Sequence, residues 1–226
     1  MAGMKGTADH ETPGWRKCPK RNDQLSGGLR IIDFAPILDF MEALNLTNQF
    51  LIAMPTLADP NFSQTVTYIC AHSEEGAMGI VINRPMNIAL GEVLSQMKMS
   101  ATDPQINSRP VFSGGPVQPD RGFVLHRPMG AWSSNLQVSM EIGVATSRDI
   151  LEAISKGEGP ADALVALGYA GWGAGQLERE MLENSWLSAP VNEDILFRLS
   201  PEDRWHAAVA LLGIRADSLS TDAGHA

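Results

Sequence analysis

Three side chains could in principle meet to do metal or thiol chemistry: Cys70, His72 and His126. Cys70 and His72 close one apolar run and His126 closes another, so a thiol–imidazole pair or a partial zinc set is what they offer. The set is incomplete, because no second cysteine or close histidine pair supplies the remaining ligands, and an apolar-flanked cysteine is ordinarily inert core. Strand alternation would place Cys70 and His72 on one face with Tyr68. Ser63, after Asp59-Pro60-Asn61-Phe62, sits in a turn spelling and lacks the G-x-S-x-G elbow that exposes a nucleophile. No catalytic residue, metal or cofactor is assigned.

Binding groups are better represented. Asn83-Arg84-Pro85 ends an apolar run, where an arginine can pair bidentately with a carboxylate or phosphate. Gly114-Gly115-Pro116 could present backbone N–H groups to an anion, although without a Walker lysine or G-x-G-x-x-G spacing a plain tight turn outweighs that reading. The stretch from Leu167 to Trp186 packs Gly168, Gly171, Gly173 and Gly175 beside Trp172 and Trp186. So many glycines imply positive φ or close backbone approach, with a tryptophan covering the bare chain. The stretch reads more economically as a tight helix-to-helix connection packed on a sheet than as a ligand contact. Glu178, Glu180 and Glu183 beyond it read as a solvated helix face. Together Asn83, Arg84, Gly114, Gly115, His126 and Trp172 form the candidate ligand-binding groove.

These groups must be positioned by strands and helices in an irregular order. Gln49–Met54, Thr65–Ala71, Gly79–Asn83, Pro110–Ser113, Gly122–His126, Leu136–Met140 and Ile142–Ala145 read as strands, the second and third as a hairpin. Gly114–Asp120 reads as a turn. Asn87 is placed to cap a helix bearing Leu90, Leu94 and Met97 on one face. Thr146 with Asp149 spells a capping box for a helix ending at Gly157. Further helices are predicted from Pro160 to near Gly168, from Gln176 to Asn184, and from Ser200-Pro201 through Trp205 and Val209 to Gly213; Asp194–Phe197 reads as a short strand. The pattern predicts an α+β (mixed α/β) fold: a single compact domain with a mixed, largely antiparallel sheet flanked by helices. Residues 1–30 read as a disordered basic tail, 31–45 as a short docking helix or linker, 46–215 as the folded domain and 216–226 as a polar tail.

The 226 residues carry a formal charge of −9. Residues 1–30 hold six basic and three acidic side chains, which leaves −12 on the remainder. Such a body repels nucleic acid phosphate and argues against DNA as a partner. No apolar run reaches the length of a membrane span, and the two cysteines with no secretory apolar core lead to an expectation of cytoplasmic residence.

Six motifs in order closely resemble the YqgE/AlgH family of bacterial proteins, also called UPF0301. They are Phe50-Leu51-Ile52-Ala53-Met54-Pro55, Tyr68-Ile69-Cys70-Ala71-His72, Gly76-Ala77-Met78-Gly79 with Asn83-Arg84-Pro85, Gly114-Gly115-Pro116-Val117, Arg121-Gly122-Phe123-Val124-Leu125-His126, and the Gly/Trp stretch. The resemblance runs from about Leu46 to the C-terminus. It implies a compact mixed α/β domain in a family without an established biochemical activity, one member of which is linked to alginate regulation. The reading favours a non-catalytic regulatory protein that binds a small molecule or a protein partner. The alternatives are a transcriptional regulator, for which no helix-turn-helix is visible, and a hydrolase or transferase using His126 or His72 as base with the Gly114-Gly115 amides as anion donors.

Overall fold

A computed structural model of the chain describes residues 45–216 and Leu219. Except for Asn45, Ala216 and Leu219, the expectations for the 1–30 tail, the 31–45 helix and the 216–226 tail lie outside those residues. The chain opens with β1 (Gln49–Ala53), β2 (Val66–Ser73) and β3 (Gly76–Val81), paired antiparallel in sequence, the β2–β3 hairpin as expected. β4 (Pro85–Ala89) leads into α1 (Leu90–Gln96), the single turn α2 (Pro104–Asn107) and β5 (Pro110–Ser113). Next come β6 (Val117–Arg127), β7 (Asn135–Gln137), β8 (Gly143–Ala145) and α3 (Arg148–Ser155). β9 (Asp162–Gly173), α4 (Gln176–Leu182), β10 (Trp186–Pro190), a π-helical turn Asp194–Arg198 and α5 (Arg204–Ala210) complete the described chain.

The strands make one curled sheet in the order β10-β1-β2-β3-β9-β6-β8-β7. β5 joins β9 in parallel, β4 pairs with β5, and the other pairings are antiparallel. This is the expected α+β domain. One core cluster, including Phe50, Tyr68, Ile80 and Leu125, packs against α5 through Trp205 and Val209. A second lies under α1 and α3 around Leu90, Leu94, Ile150 and Val165; a third surrounds Trp172, Leu177 and Trp186 beside α4.

The largest departure from the sequence reading is β9. The helix expected from Pro160 to Gly168 and the connector expected after it are one 12-residue strand at the centre of the sheet. Ala163–Leu167 is an apolar run paired on both edges, to β5 and to β6, and a strand buried on both faces has no polar alternation to betray it. Leu164 and Ala166 enter the first core and Val165 the second; beyond Gly168 the parity reverses, with Tyr169 on the first core and Ala170 and Trp172 in the third. The reversal takes place at Gly168, whose φ of +74° is left-handed. There β9 exchanges its parallel partner β5 for its antiparallel partner β3.

Gly114 and Gly115 permit that exchange. Gly114 N–H donates to the Leu167 carbonyl at 2.8 Å, and Val81 N–H donates to the Gly114 carbonyl at 2.9 Å. A Cβ on Gly114 would lie 2.3 Å from the Gly168 oxygen, and one on Gly168 would lie 2.4 Å from the Gly115 oxygen. Two backbones therefore cross in contact, which only residues without side chains allow.

Other departures are local. Val117 already pairs with Tyr169, so β6 starts within the expected Gly114–Asp120 turn. Asn87 lies inside β4, and Ala89 holds the cap position of α1 with its N–H donating to Glu92 Oε1 at 3.1 Å. Ser147, not Thr146, holds the cap position of α3, without a side-chain bond to the helix N–H groups, and helix geometry after Pro201 begins only at Arg204. Asp194–Phe197 is helical because Asn192 Oδ1 accepts from both Asp194 N–H and Ile195 N–H, turning the chain before it can extend. Trp186 opens β10, a strand the sequence reading did not find.

Gly115 has a φ of +149°, and a Cβ there would meet the Tyr169 carbonyl carbon at 2.2 Å. Gly115→Ala is expected to cost roughly 3 kcal/mol or more, from backbone strain added to overpacking. Urea denaturation followed by tryptophan fluorescence measures it, and a cost under about 1 kcal/mol would show that the crossing is not tight.

Candidate functional site

The fold uses most of the sequence-predicted site residues for its own hydrogen bonds. Asn83 Oδ1 accepts from Val66 N–H at 2.8 Å while its Nδ2 donates to the Gln64 carbonyl at 2.9 Å. Arg84 Nη2 donates to the Ser63 carbonyl at 2.6 Å and the Pro60 carbonyl at 3.4 Å, tying down the loop between β1 and β2. Gly114 and Gly115 are pressed against β9. His126 is 0% exposed, with Nδ1 3.0 Å from the Pro128 carbonyl, Nε2 3.0 Å from Asn135 Oδ1, and its ring edge-on to Trp132. Trp172 sits in the third core. The six residues do not converge on one groove.

Cys70 and His72 are separated for a specific reason. The β2–β3 register passes from Ile69↔Gly79 to Ala71↔Met78, so Cys70 is the extra residue of a β-bulge, and a bulge reverses which face the following side chains take. Cys70 stays in the first core, where burial raises its thiol far above the usual range. His72 turns to the other face, with Nδ1 accepting from Leu46 N–H at 3.0 Å and Nε2 2.7 Å from Glu178 Oε1. The predicted shared face does not form.

Glu178 and Glu180 correspondingly face inward, not to solvent. Glu180 Oε2 accepts from both indoles, Trp172 Nε1 at 2.9 Å and Trp186 Nε1 at 2.8 Å, and Oε1 accepts from Gln176 Nε2 at 2.8 Å. Phe62 stacks on Trp172 at 6.1 Å and meets Trp186 edge-on at 5.5 Å. The helix begins at Gly175 (φ +67°) immediately after the strand, which folds α4 back over β9 and brings residues eight apart into contact.

Concave surface lies elsewhere. A cleft of about 440 Å³ opens where α1, β6 and α3 meet on the face of the second core. Ile88, Val93, Met97, Val124, Leu151 and Leu167 supply its apolar walls, while Gln96, Asp120, Arg121, Thr146, Ser147 and Arg148 bring polar groups to it. Arg148 is paired with Glu152 at 2.8 Å. Arg121 forms no ion pair among the described residues; its Nη1 donates to Gln118 Oε1 at 3.3 Å and its guanidinium lies 5.6 Å from the Phe123 ring centroid. A Cβ built on Gly122, which lines the cleft, meets nothing within 4 Å. Arg121 and Thr146 also border a hollow of about 280 Å³ on the opposite face of the sheet, with Met78, Phe123 and Tyr169.

Asp149 secures the Ser147 wall. It accepts from the Ser147 hydroxyl and, at 2.8 Å each, from the Ser133 N–H and hydroxyl, bonds that lower its carboxyl to about 2. The sequence reading contained the motif Arg121–His126 and the Thr146–Asp149 spelling but, His126 apart, assigned them no site. Their one usable signal was Gly122, a glycine inside a strand pattern, which can mark close approach by a ligand or another backbone.

Among the described residues no helix is long and apolar enough to cross a membrane, and no group of three or more His, Cys, Asp or Glu could hold a metal. The AlgH-like family model matches residues 50–217. A UPF0301 protein of Thioalkalivibrio sulfidiphilus is 62% identical over 182 residues, covering 80% of this chain and 97% of the relative. One from Nitrosococcus oceani is 53% identical over 179 residues, covering 79% and 96%. The solution structure of the AlgH protein from Pseudomonas aeruginosa is similar, with a TM-score of 0.68 and 51% identity over 81% of this chain and 97% of that one. A crystal structure of a Corynebacterium diphtheriae protein, 19% identical with a TM-score of 0.56 over 72% of this chain and 84% of its own, shares the fold.

Two substitutions test this local account. Glu180→Ala strands two buried indole donors and is expected to destabilise by roughly 2–3 kcal/mol, with both tryptophans changing emission; unchanged stability would mean that water replaces the carboxylate without cost. Asp149→Asn is expected to cost about 1 kcal/mol at neutral pH, discounted for exposure. Because the folded carboxyl is depressed, its stabilisation is present above the ordinary value of 3.8 and is lost as pH falls toward about 2. Parallel pH–stability curves for the two proteins across that window would rule it out.

Proposed function

The chain belongs to the AlgH-like family, and from that premise we propose that it is a non-catalytic binding protein whose ligand is a small amphipathic anion seated between α1, β6 and α3. The observation that carries this reading is the 440 Å³ cleft, a size in the range of small-molecule sites, with apolar walls and a few polar groups at one side. Apolar ligand surface removed from water there supplies affinity at about 25 cal/mol per Å², and the polar groups fix orientation. Arg121, without an ion pair among the described residues, is suited to the anionic end; with Arg148 it outweighs Asp120, the one acid of the lining.

An enzymatic role draws no support from the histidines that would act as base. His126 is fully buried with both ring nitrogens engaged, and His72 is held by Leu46 and Glu178. The Gly114 amide is spent on Leu167. A role on DNA would have to overcome the net charge of −9.

Anilinonaphthalene sulfonate, an apolar ring system with one anionic group, is a suitable probe. Gly122→Leu should fill the cleft, weaken probe binding at least about tenfold and leave the melting temperature nearly unchanged, since its Cβ has open space. Arg121→Gln should weaken the anionic probe and spare a neutral analogue. A Gly122→Leu protein that binds the probe like the parent chain would sink the proposal.

A further inference from the structure

Arg204 is the odd charge of this fold. It is 4% exposed, at the start of α5, and forms no ion pair among the described residues. Its Nε donates to the Leu199 carbonyl at 3.0 Å, its Nη1 donates to the Ile82 carbonyl, and its guanidinium lies 5.1 Å from the Phe112 ring centroid. Nη2 has no hydrogen-bond partner among the described residues. Burial lowers its pKa to about 10, with exposed Glu202 acting in the other direction, so the side chain is still a cation at neutral pH. Taking such a charge out of water without a counter-ion is costly, and its bonds to two backbone carbonyls and its contact with Phe112 offset only part of that cost. Its positive charge is left without an opposite charge at ion-pair distance among the described residues.

The place it borders supplies the reason. Arg204 lines a hollow of about 370 Å³ between β5, the start of β9 and the Leu199–Pro201 segment, and Arg109 and Arg198 line the same hollow. Arg109 is exposed and makes no ion pair or side-chain hydrogen bond among the described residues. Arg198 is shared between Asp194 Oδ1 at 2.6 Å and Asp162 Oδ2 at 3.3 Å. Of the other nearby acids, Asp203 accepts the Ser200 hydroxyl at 2.5 Å, and Glu202 is exposed. Two guanidinium groups, Arg109 and Arg204, thus border one space without an ion-pair partner among the described residues; Asp162, the one acid of the lining, is engaged by Arg198, and the floor is apolar, made by Phe112, Leu164 and Phe197.

We propose that this hollow binds a phosphate monoester of a small organic molecule. A dianion matches the two unpartnered cations, guanidinium forks match phosphate oxygens, and the hollow has room for an organic body resting on the apolar floor. It shares no lining residue with the α1–β6–α3 cleft, so it is a second site and does not depend on the first.

The experiment is calorimetric titration of the full chain with phenyl phosphate and, separately, with inorganic phosphate, at two salt concentrations. Phenyl phosphate is expected to bind more tightly than inorganic phosphate and to weaken as salt rises. Arg109→Glu, a surface change, should weaken it at least about tenfold without moving the melting temperature of the free protein, while Gly122→Leu leaves it unchanged. Arg204→Met should abolish binding and, because it leaves the Leu199 and Ile82 carbonyls without their donor, lower the melting temperature of the free protein. Absence of binding of either probe up to ~10 mM, equal affinity for the two probes, or undiminished binding by the Arg109→Glu protein would overturn the proposal, and the last of these decides it even if Arg204→Met fails to fold.

Discussion

The crossing of Gly114 and Gly115 over Gly168 is the contact on which the architecture depends. β9 runs through the middle of the sheet, and it serves β5 and β6 with its first half and β3 and β6 with its second only because its parity reverses at Gly168. That reversal needs a left-handed residue, and the loop sealing the vacated edge needs two more residues without side chains. Were the three glycines ordinary residues, the first half of the sheet and the second could not share a strand, and neither the cleft beside β6 nor the hollow at the start of β9 would have walls.

The polar groups divide into those the fold consumes and those it leaves over. Asn83, Arg84, His72, His126, Glu178 and Glu180 each satisfy a buried backbone or side-chain partner, which is what the cost of an unpaired buried polar group demands. The residue types best suited to chemistry by their sequence neighbours are therefore the ones least available for it. Arg109, Arg121 and Arg204 differ in their charge, which is unmatched even though Arg204 donates to two backbone carbonyls. They line concave surface, and among the described residues none is met by a carboxylate at ion-pair distance. For Arg204, held inside the protein, this imbalance has a real energetic cost, whereas Arg121 is screened by water until something apolar covers it.

The two concave sites also differ in what builds them. The cleft takes its walls from two helices and the edge of β6, with Asp149 clamping the chain at Ser133 and Ser147, so its shape follows the docking of α1 and α3. The arginine hollow is set by β5, the first residues of β9 and the π-helical turn, which carries Phe197 and Arg198 on consecutive positions. Recognition in the first is dominated by apolar area and in the second by charge.

The sequence by itself determined the fold class, the strands β1, β2 and β3 with the β2–β3 hairpin, the strand after Gly122, and the positions of α1, α3 and α4 to within a few residues. These follow from local rules: period-two alternation, helical spacing of Leu90 and Leu94, and glycine at ends. Only the tertiary structure decided that the Gly/Trp stretch is the central strand, because a run buried on both faces carries no alternation and a glycine that flips parity erases what remains. Only the structure, too, separated Cys70 from His72 through a one-residue bulge and turned Glu180 toward two tryptophans. Arg109, Arg198 and Arg204 could not be grouped in advance, since they meet through a parallel strand pairing and a helix start remote in the chain, and a site assembled from such contacts has no spacing to read.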